Sequence, residues 1–200
     1  MHFEITPAIW RQACFLVLAV LLIAAVLIDL RQRRIPNSLV LVALATGILF
    51  NVLGPQGPVN GGGLFTARPG ALGFTGALFG ALTGLAVFLP FYVLRIMGAG
   101  DVKLMAGIGS WVGAAGVLNL ALFVLAMGGL LAIVTMVWSR RTQQVIFNVS
   151  MVLGQMWPGS TARFDPSQTA YRMPYSLAIA GGMLAYWFWL QAGGRALFQF

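Results

Sequence analysis

Long runs of apolar residues, separated by short polar or Gly/Pro-rich stretches, dominate the pattern of this chain. Several of these runs approach or exceed the ~20 residues that a helix needs to cross the hydrocarbon core of a membrane. A 37-residue run from Val102 to Trp138 is long enough for two short crossings joined by a turn near residues 111–116. The pattern predicts helices that span the membrane at about residues 12–30, 38–53, 70–94, 102–115, 118–138 and 176–191.

The composition agrees with a membrane protein. Of the 200 residues, 60% are hydrophobic and only 8% are charged, whereas a soluble domain carries about a quarter charged residues. We therefore predict an all-α integral membrane protein with about six transmembrane helices, forming one domain over residues 1–200. The net charge of +8 is scattered through segments that flank the predicted helices, so we predict a lipid bilayer and no nucleic acid as partner.

The distribution of basic residues predicts the orientation in the membrane, since cytoplasmic loops carry an excess of Lys and Arg. Nine basic residues fall on one side of the predicted topology and three on the other, which places both termini outside. The cytoplasmic set is Arg31, Arg33, Arg34, Arg95, Lys103, Arg140, Arg141, Arg163 and Arg172. Residues 139–173 are predicted to be a cytoplasmic-side segment, of which 142–157 is amphipathic and lies on the membrane surface.

Cysteine and histidine usage excludes several kinds of site. Cys14 is the only cysteine and His2 the only histidine. An intramolecular disulfide, a CxxC pair and a Cys-based zinc site all need more than one cysteine. His2 lies near the N-terminus with nothing nearby to complete a metal site, so we also exclude zinc hydrolysis and sites based on His or a Cys–His pair. We predict that the protein uses neither a metal nor an organic cofactor.

Two of the four carboxylates end long apolar stretches. Asp29 closes the first run, and Asp101 stands between two others, where ionisable residues are rare and usually functional. The predicted topology places both near the cytoplasmic face. Two neighbouring carboxylates tend to share one proton, and such a pair hydrolyses peptides without a metal or a covalent intermediate. Asp29 and Asp101 are our candidate catalytic residues.

Other residues near the aspartates are candidates for binding substrate or supporting the site. Gly98 and Gly100 permit unusual backbone angles and close approach of an extended substrate. Lys103 is a candidate for biasing the charge of the pair and also serves as a basic anchor. Pro36 and Asn37 form a turn and the start of the second helix.

Less specific interpretations remain open at this point. Asp29 pairs with Arg31 or Arg33 in one of them, and Asp101 caps the helix that follows it in another. At the level of function, one alternative is a small proton-coupled carrier that uses the aspartates as a relay. Another is a non-catalytic subunit of a secretion machine.

Three stretches of the chain resemble a known family. They are residues 29–37 (DLRQRRIPN), 98–104 (GAGDVKL) and 173–182 (MPYSLAIAGG). Together they are similar to the first-aspartate segment, the GxGDxKL segment and the last helix of the type IV prepilin peptidases. These are bacterial GxGD intramembrane aspartic proteases.

The resemblance implies that Asp29 and Asp101 are catalytic. It also implies that the protein removes basic leader peptides from prepilins and pseudopilins at the cytoplasmic face of the inner membrane, in support of pilus assembly or secretion. Larger members carry a tetracysteine segment and also methylate the new N-terminus. With one cysteine and a turn of only residues 31–37, this chain is similar to the short branch that serves tight-adherence (Flp) pili. We expect no N-methyltransferase activity.

Overall fold

A computed structural model describes residues 6–55, 63–65, 70–94, 96–139 and 175–198. All five elements in this part of the chain are helices, which confirms the all-α prediction there. They are α1 (Pro7–Gln32), α2 (Asn37–Leu53), α3 (Gly73–Val93), α4 (Ala99–Ser139) and α5 (Tyr175–Gln191). The predicted cytoplasmic-side segment 139–173 lies outside the described residues, apart from Ser139 at the end of α4.

The first helix is longer than its apolar run predicts. It begins at Pro7 rather than near residue 12, because Thr6 caps it and its side-chain oxygen accepts a hydrogen bond from the Ile9 amide at 3.4 Å. Proline is well placed there, since its fixed φ suits the first turn and its missing N–H has no partner to lose. At the other end Arg33 adopts a left-handed φ of 53° and donates its N–H to the Asp29 carbonyl.

Apolar side chains cover both faces of α1. One face is buried in the protein, and the opposite face exposes leucine, valine and isoleucine. A helix that is apolar all round needs an apolar environment on its free face. The described residues contain three stretches long and apolar enough to cross a membrane, namely Pro7–Gln32, Gly73–Val93 and Ala99–Thr135.

Helix α4 is interrupted at Gly113, whose φ of 77° and ψ of 176° are not helical. The interruption falls within the turn predicted at residues 111–116. Tyr175 interacts electrostatically with Asp101, and a Cβ on Gly128 would lie 2.7 Å from the Tyr175 hydroxyl. An unbroken helix would separate residues 101 and 128 by about 40 Å. We infer that segments 99–112 and 114–139 fold back against each other at Gly113.

Helices α3 and α4 pack with their backbones in contact. A Cβ on Gly80 would overlap the carbonyl oxygen of Gly109, and one on Gly84 would lie 2.5 Å from the carbonyl oxygen of Met105. Small residues are what allow helices to approach this closely. Gly76 precedes Gly80 and Gly84 at the same spacing of four residues, but a Cβ there would meet Leu72 at the start of its own helix instead.

Asn51 connects the end of α2 to two other elements. It is fully buried, its Nδ2 donates to the carbonyls of Gly47 and Ser110, and its Oδ1 accepts from the Leu72 amide. The Ser110 carbonyl lies just before the interruption at Gly113, where helical hydrogen bonds stop. The asparagine therefore satisfies backbone groups that the break in α4 would leave unpaired.

Two residues of the Gly/Pro-rich connection between α2 and α3 enter the core. Leu64 and Phe65 are buried, although the sequence predicts only an external loop here. The Phe65 ring lies 5.3 Å from that of Phe15 on α1 and 5.0 Å from that of Tyr186 on α5. Phe65 thus fills the space between the first and the last helix.

Candidate active site

Asp29 is held in the last turn of α1 with its carboxylate inside the protein. The residue is 7% exposed, and its Oδ2 accepts a hydrogen bond of 2.6 Å from the hydroxyl of Ser176. Arg33 donates its backbone N–H to the Asp29 carbonyl rather than its guanidinium to the carboxylate. The structure therefore favours a buried carboxylate bound to serine over the alternative of a pair with Arg31 or Arg33.

Asp101 lies in the first turn of α4 and is half-buried. It makes a hydrogen bond with the backbone of Gly98, just before the helix begins. This is the local helix-capping role that the sequence left open, and the helix dipole favours a negative charge there. Its Oδ1 is buried and has no hydrogen-bond partner within the described residues. The Asp101 carboxylate thus interacts with the start of α4, and its Oδ1 has no protein partner in the described part of the chain.

The two aspartates are close enough to interact electrostatically, although 72 positions separate them in the sequence. Because like charges repel at short range, the state in which the pair holds one proton has a lower free energy than the state in which both carboxylates are charged. One member then acts as a base toward water and the other as an acid toward a carbonyl.

The turn between α1 and α2 packs against the start of α4. A Cβ on Gly100 would lie 3.1 Å from the Cβ of Ile35 in this turn. Lys103 donates from Nζ to the Asn37 side-chain oxygen at 3.1 Å. Pro36 precedes α2, and its carbonyl accepts the first backbone hydrogen bonds of that helix. The structure thus brings all the predicted supporting residues to the region of the aspartates.

One expectation about the glycines is wrong. Neither Gly98 nor Gly100 has a positive φ, so unusual backbone angles are not why glycine stands at these positions. Close approach is the reason that the structure supports. A side chain at residue 98 would meet Asp101, and one at residue 100 would press on Ile35.

Sequence reasoning assigned no role to Tyr175 and Ser176. Ser176 is fully buried and binds Asp29, whereas Tyr175 is close enough to interact electrostatically with Asp101. The signal was available, because these two polar residues open a helix whose other residues are apolar except for Tyr186 and the final Gln191. Two consecutive residues of α5 therefore interact with the two aspartates, Tyr175 with Asp101 and Ser176 with Asp29.

The described residues contain no group of three or more His, Cys, Asp or Glu side chains placed to hold a metal ion. The chemistry that this arrangement supports is proton transfer between two carboxylates and water. Residues of α1, α4 and α5 contribute to this arrangement, and the α1–α2 turn packs against the start of α4.

Comparison with known proteins matches residues 16–133 to the type IV leader peptidase family. The chain is also similar to curated proteins named prepilin leader peptidase/N-methyltransferase. The identity is 36% to the Pseudomonas aeruginosa protein, over 56% of this chain and 35% of that protein. The identity to the Aeromonas salmonicida protein is 33%, over 54% of this chain and 34% of that protein. The identity to the Pectobacterium carotovorum protein is 31%, over 66% of this chain and 42% of that protein. The matched region thus spans about a third to two fifths of these relatives. No solved structure matches the chain significantly.

Proposed function

The chain belongs to the type IV leader peptidase family, and from this premise we propose that it is a membrane-embedded aspartic endopeptidase. Its substrates in this proposal are prepilins and pseudopilins, from which it removes the leader peptide. The observation that carries the proposal is the electrostatic interaction between Asp29 and Asp101, which belong to two different helices. Both motifs that supply these residues lie inside the matched region, 16–133.

In the proposed mechanism the two aspartates share one proton between them. The ionised carboxylate takes a proton from water, and the resulting hydroxide attacks the scissile carbonyl carbon. The protonated carboxyl gives its proton to the carbonyl oxygen, which forms a neutral tetrahedral intermediate. When the intermediate collapses, a proton passes to the leaving amine and the pair again holds a single proton.

The proposed topology has six crossings with the site at the cytoplasmic face of the bacterial inner membrane. The length of α4 supports it, because 41 residues of helix measure about 60 Å while a hydrocarbon core is about 30 Å thick. With the break at Gly113, α4 supplies two crossings instead of one. The nine-to-three distribution of basic residues supports the cytoplasmic side.

Reporter fusions test this topology. A reporter fused at Gly57 should lie outside the cytoplasm, and a reporter fused at Gln143 should lie inside it. Positive charges flank the predicted inner ends of the helices, which is the reason to expect this orientation. Phosphatase and fluorescent-protein fusions at both positions measure it in opposite senses. The reverse pattern would contradict both the orientation and the cytoplasmic location of the site.

We further propose that the protein serves the tight-adherence (Flp) branch and acts without N-methylation. The single cysteine supports this, since the resemblance associates methylation with a tetracysteine segment. The substrates are expected to have a short basic leader, with cleavage after a glycine. A pilus or secretion machinery would take up the product.

The proposed function is tested by cleavage of a prepilin in lipid vesicles that contain only the purified protein. We expect a mature fragment with an unmethylated N-terminus, identified by its mass. Proton flux across the same vesicles tests the carrier alternative. A protein that moves protons with a solute and leaves the prepilin intact would be a carrier. An intact prepilin without any flux would favour a non-catalytic assembly subunit.

Lys103→Ala should retain appreciable cleavage activity. The lysine binds Asn37 in an exposed hydrogen bond, and such a bond contributes about 1 kcal/mol, or roughly a fivefold effect on rate. The measurement is the cleavage rate of the purified variant. Asn37→Ala removes the other half of the same bond and serves as the matched control, with a similar effect expected. A loss beyond about a hundredfold in Lys103→Ala alone would place the lysine in the catalytic machinery.

A further inference from the structure

We infer that Ser176 positions Asp29 for catalysis by donating its hydroxyl hydrogen to one carboxylate oxygen. This inference rests on the proposed peptidase function and deepens it. It gives the last helix a part in a site whose reacting groups lie on α1 and α4. Ser176 acts through Asp29 and is a positioning residue rather than a catalytic one.

The contact between the two side chains is short and enclosed. The Ser176 hydroxyl lies 2.6 Å from Asp29 Oδ2, Ser176 is fully buried and Asp29 is nearly so. A hydrogen bond to an ionised group is about twice as strong as a neutral one. A single donor in a buried place therefore has a large influence on where the carboxylate points.

Other serine and threonine hydroxyls in the helices donate to backbone carbonyls. Ser110 is also fully buried, and its hydroxyl donates to the Gly107 carbonyl of its own helix at 2.7 Å, with a longer contact of 3.4 Å to the Leu44 carbonyl of α2. The Thr83 and Thr135 hydroxyls donate within their own helices too, to the Phe79 and Leu131 carbonyls respectively. Such bonds within a helix are the usual way a Ser or Thr satisfies its hydroxyl. Ser176 instead donates across to α1, to a residue 147 positions earlier in the chain.

The donation distinguishes the two aspartates chemically. Because the Ser176 hydroxyl donates to Asp29 Oδ2, that oxygen acts as a hydrogen-bond acceptor, and we assign Asp29 as the base that activates water. Asp101 then carries the shared proton, and its buried Oδ1 without a partner is the atom suited to present that proton to a substrate carbonyl.

Several other charged or titratable groups lie near the contact between Ser176 and Asp29. Asp101 interacts with Asp29 from α4, and Tyr175 precedes Ser176 on α5. Lys103 is bound to Asn37 of α2. Arg31 and Arg33 lie at the end of α1. None of these groups changes in a Ser176 variant, so an altered pH dependence there reports the lost hydroxyl.

The test compares Ser176→Ala with Ser176→Thr, which keeps a hydroxyl. We expect Ser176→Ala to lower kcat about tenfold and to leave KM within about twofold, since the substrate does not contact the serine. The acid limb of the pH–rate profile should also move, because the variant removes a donor from the buried pair whose shared proton this limb reports. Ser176→Thr should restore much of the rate and the position of the acid limb. Thermal unfolding of each purified variant shows whether it is folded.

Ser110→Ala is the matched control, since it removes a hydroxyl that is equally buried but donates to backbone carbonyls rather than to a carboxylate. It should keep the pH–rate profile of the unmodified protein. A normal rate and acid limb in Ser176→Ala, or a lower rate with an unmoved limb, would overturn the positioning role alone. A failure of the peptidase proposal itself looks different, because cleavage would then be absent from the unmodified protein or would persist in Asp29→Asn.

Discussion

Replacing either Asp29 or Asp101 with asparagine should reduce leader cleavage by at least about a thousandfold while leaving the protein in the membrane. A positioned acid or base contributes about 10²–10⁴ in rate, and the pair cannot share a proton once one member is an amide. Asparagine keeps nearly the size of aspartate, so packing around Ser176 and Gly98 should survive. The measurement is single-turnover cleavage of a prepilin in lipid vesicles, with the amount of folded protein determined in parallel.

Asp165→Asn makes the same chemical change at a carboxylate outside the proposed pair, and it should cleave at nearly the unmodified rate. The double variant of Asp29 and Asp101 should be no worse than either single variant, because residues that act as a unit are not additive. Substantial cleavage by one of the single variants would remove that aspartate from the mechanism.

Gly80→Ala should be the most damaging of the conservative packing changes. The new Cβ would overlap the carbonyl oxygen of Gly109, and a backbone atom in a packed helix cannot rotate away as a side chain can. Helices α3 and α4 must then separate along their contact, which we expect to cost about 2–3 kcal/mol. Thermal unfolding in detergent should show a fall in Tm of about 5 °C or more for a chain of this length.

Gly129→Ala supplies the control for this change. Gly129 lies in α4, and a Cβ there would meet nothing within 4 Å. Alanine favours helix over glycine by about 0.5–1 kcal/mol, so this variant should be as stable as the unmodified protein or slightly more so. An equal loss of stability in both variants would contradict the close backbone contact as the cause.

The helices could be predicted from the sequence because their signal is local. Apolar runs bounded by arginines, prolines and glycines located all five helices. The start of α1 was misplaced because Thr6 and Pro7, rather than hydrophobicity, decide where that helix begins. The turn at residues 111–116 was also predictable, since the 37 mostly apolar residues from Val102 to Trp138 are too many for one crossing.

Contacts between distant residues were harder to predict. The two aspartates were paired by inferring that both lie at the same membrane face, and the structure does place them close together. Leu64 and Phe65 were not expected in the core, because nothing in a Gly/Pro-rich connection indicates that it folds inward. Ser176 was overlooked because its partner is 147 residues away. From the sequence alone, a hydroxyl in an apolar helix is expected to donate to a backbone carbonyl in the preceding turn of the same helix.

The span of chain between Asp29 and Ser176 also has a consequence for how the protein is made. Ribosomes synthesise about 5–20 residues per second, so the 147 residues between the two separate them by about 7–30 seconds. Throughout that interval α1 is already available for insertion while its carboxylate lacks the serine donor. A nascent chain arrested before α5 should therefore hold both aspartates and still cleave poorly. The proposed peptidase would acquire full activity only when its last helix is inserted, which would delay leader cleavage until synthesis is nearly complete.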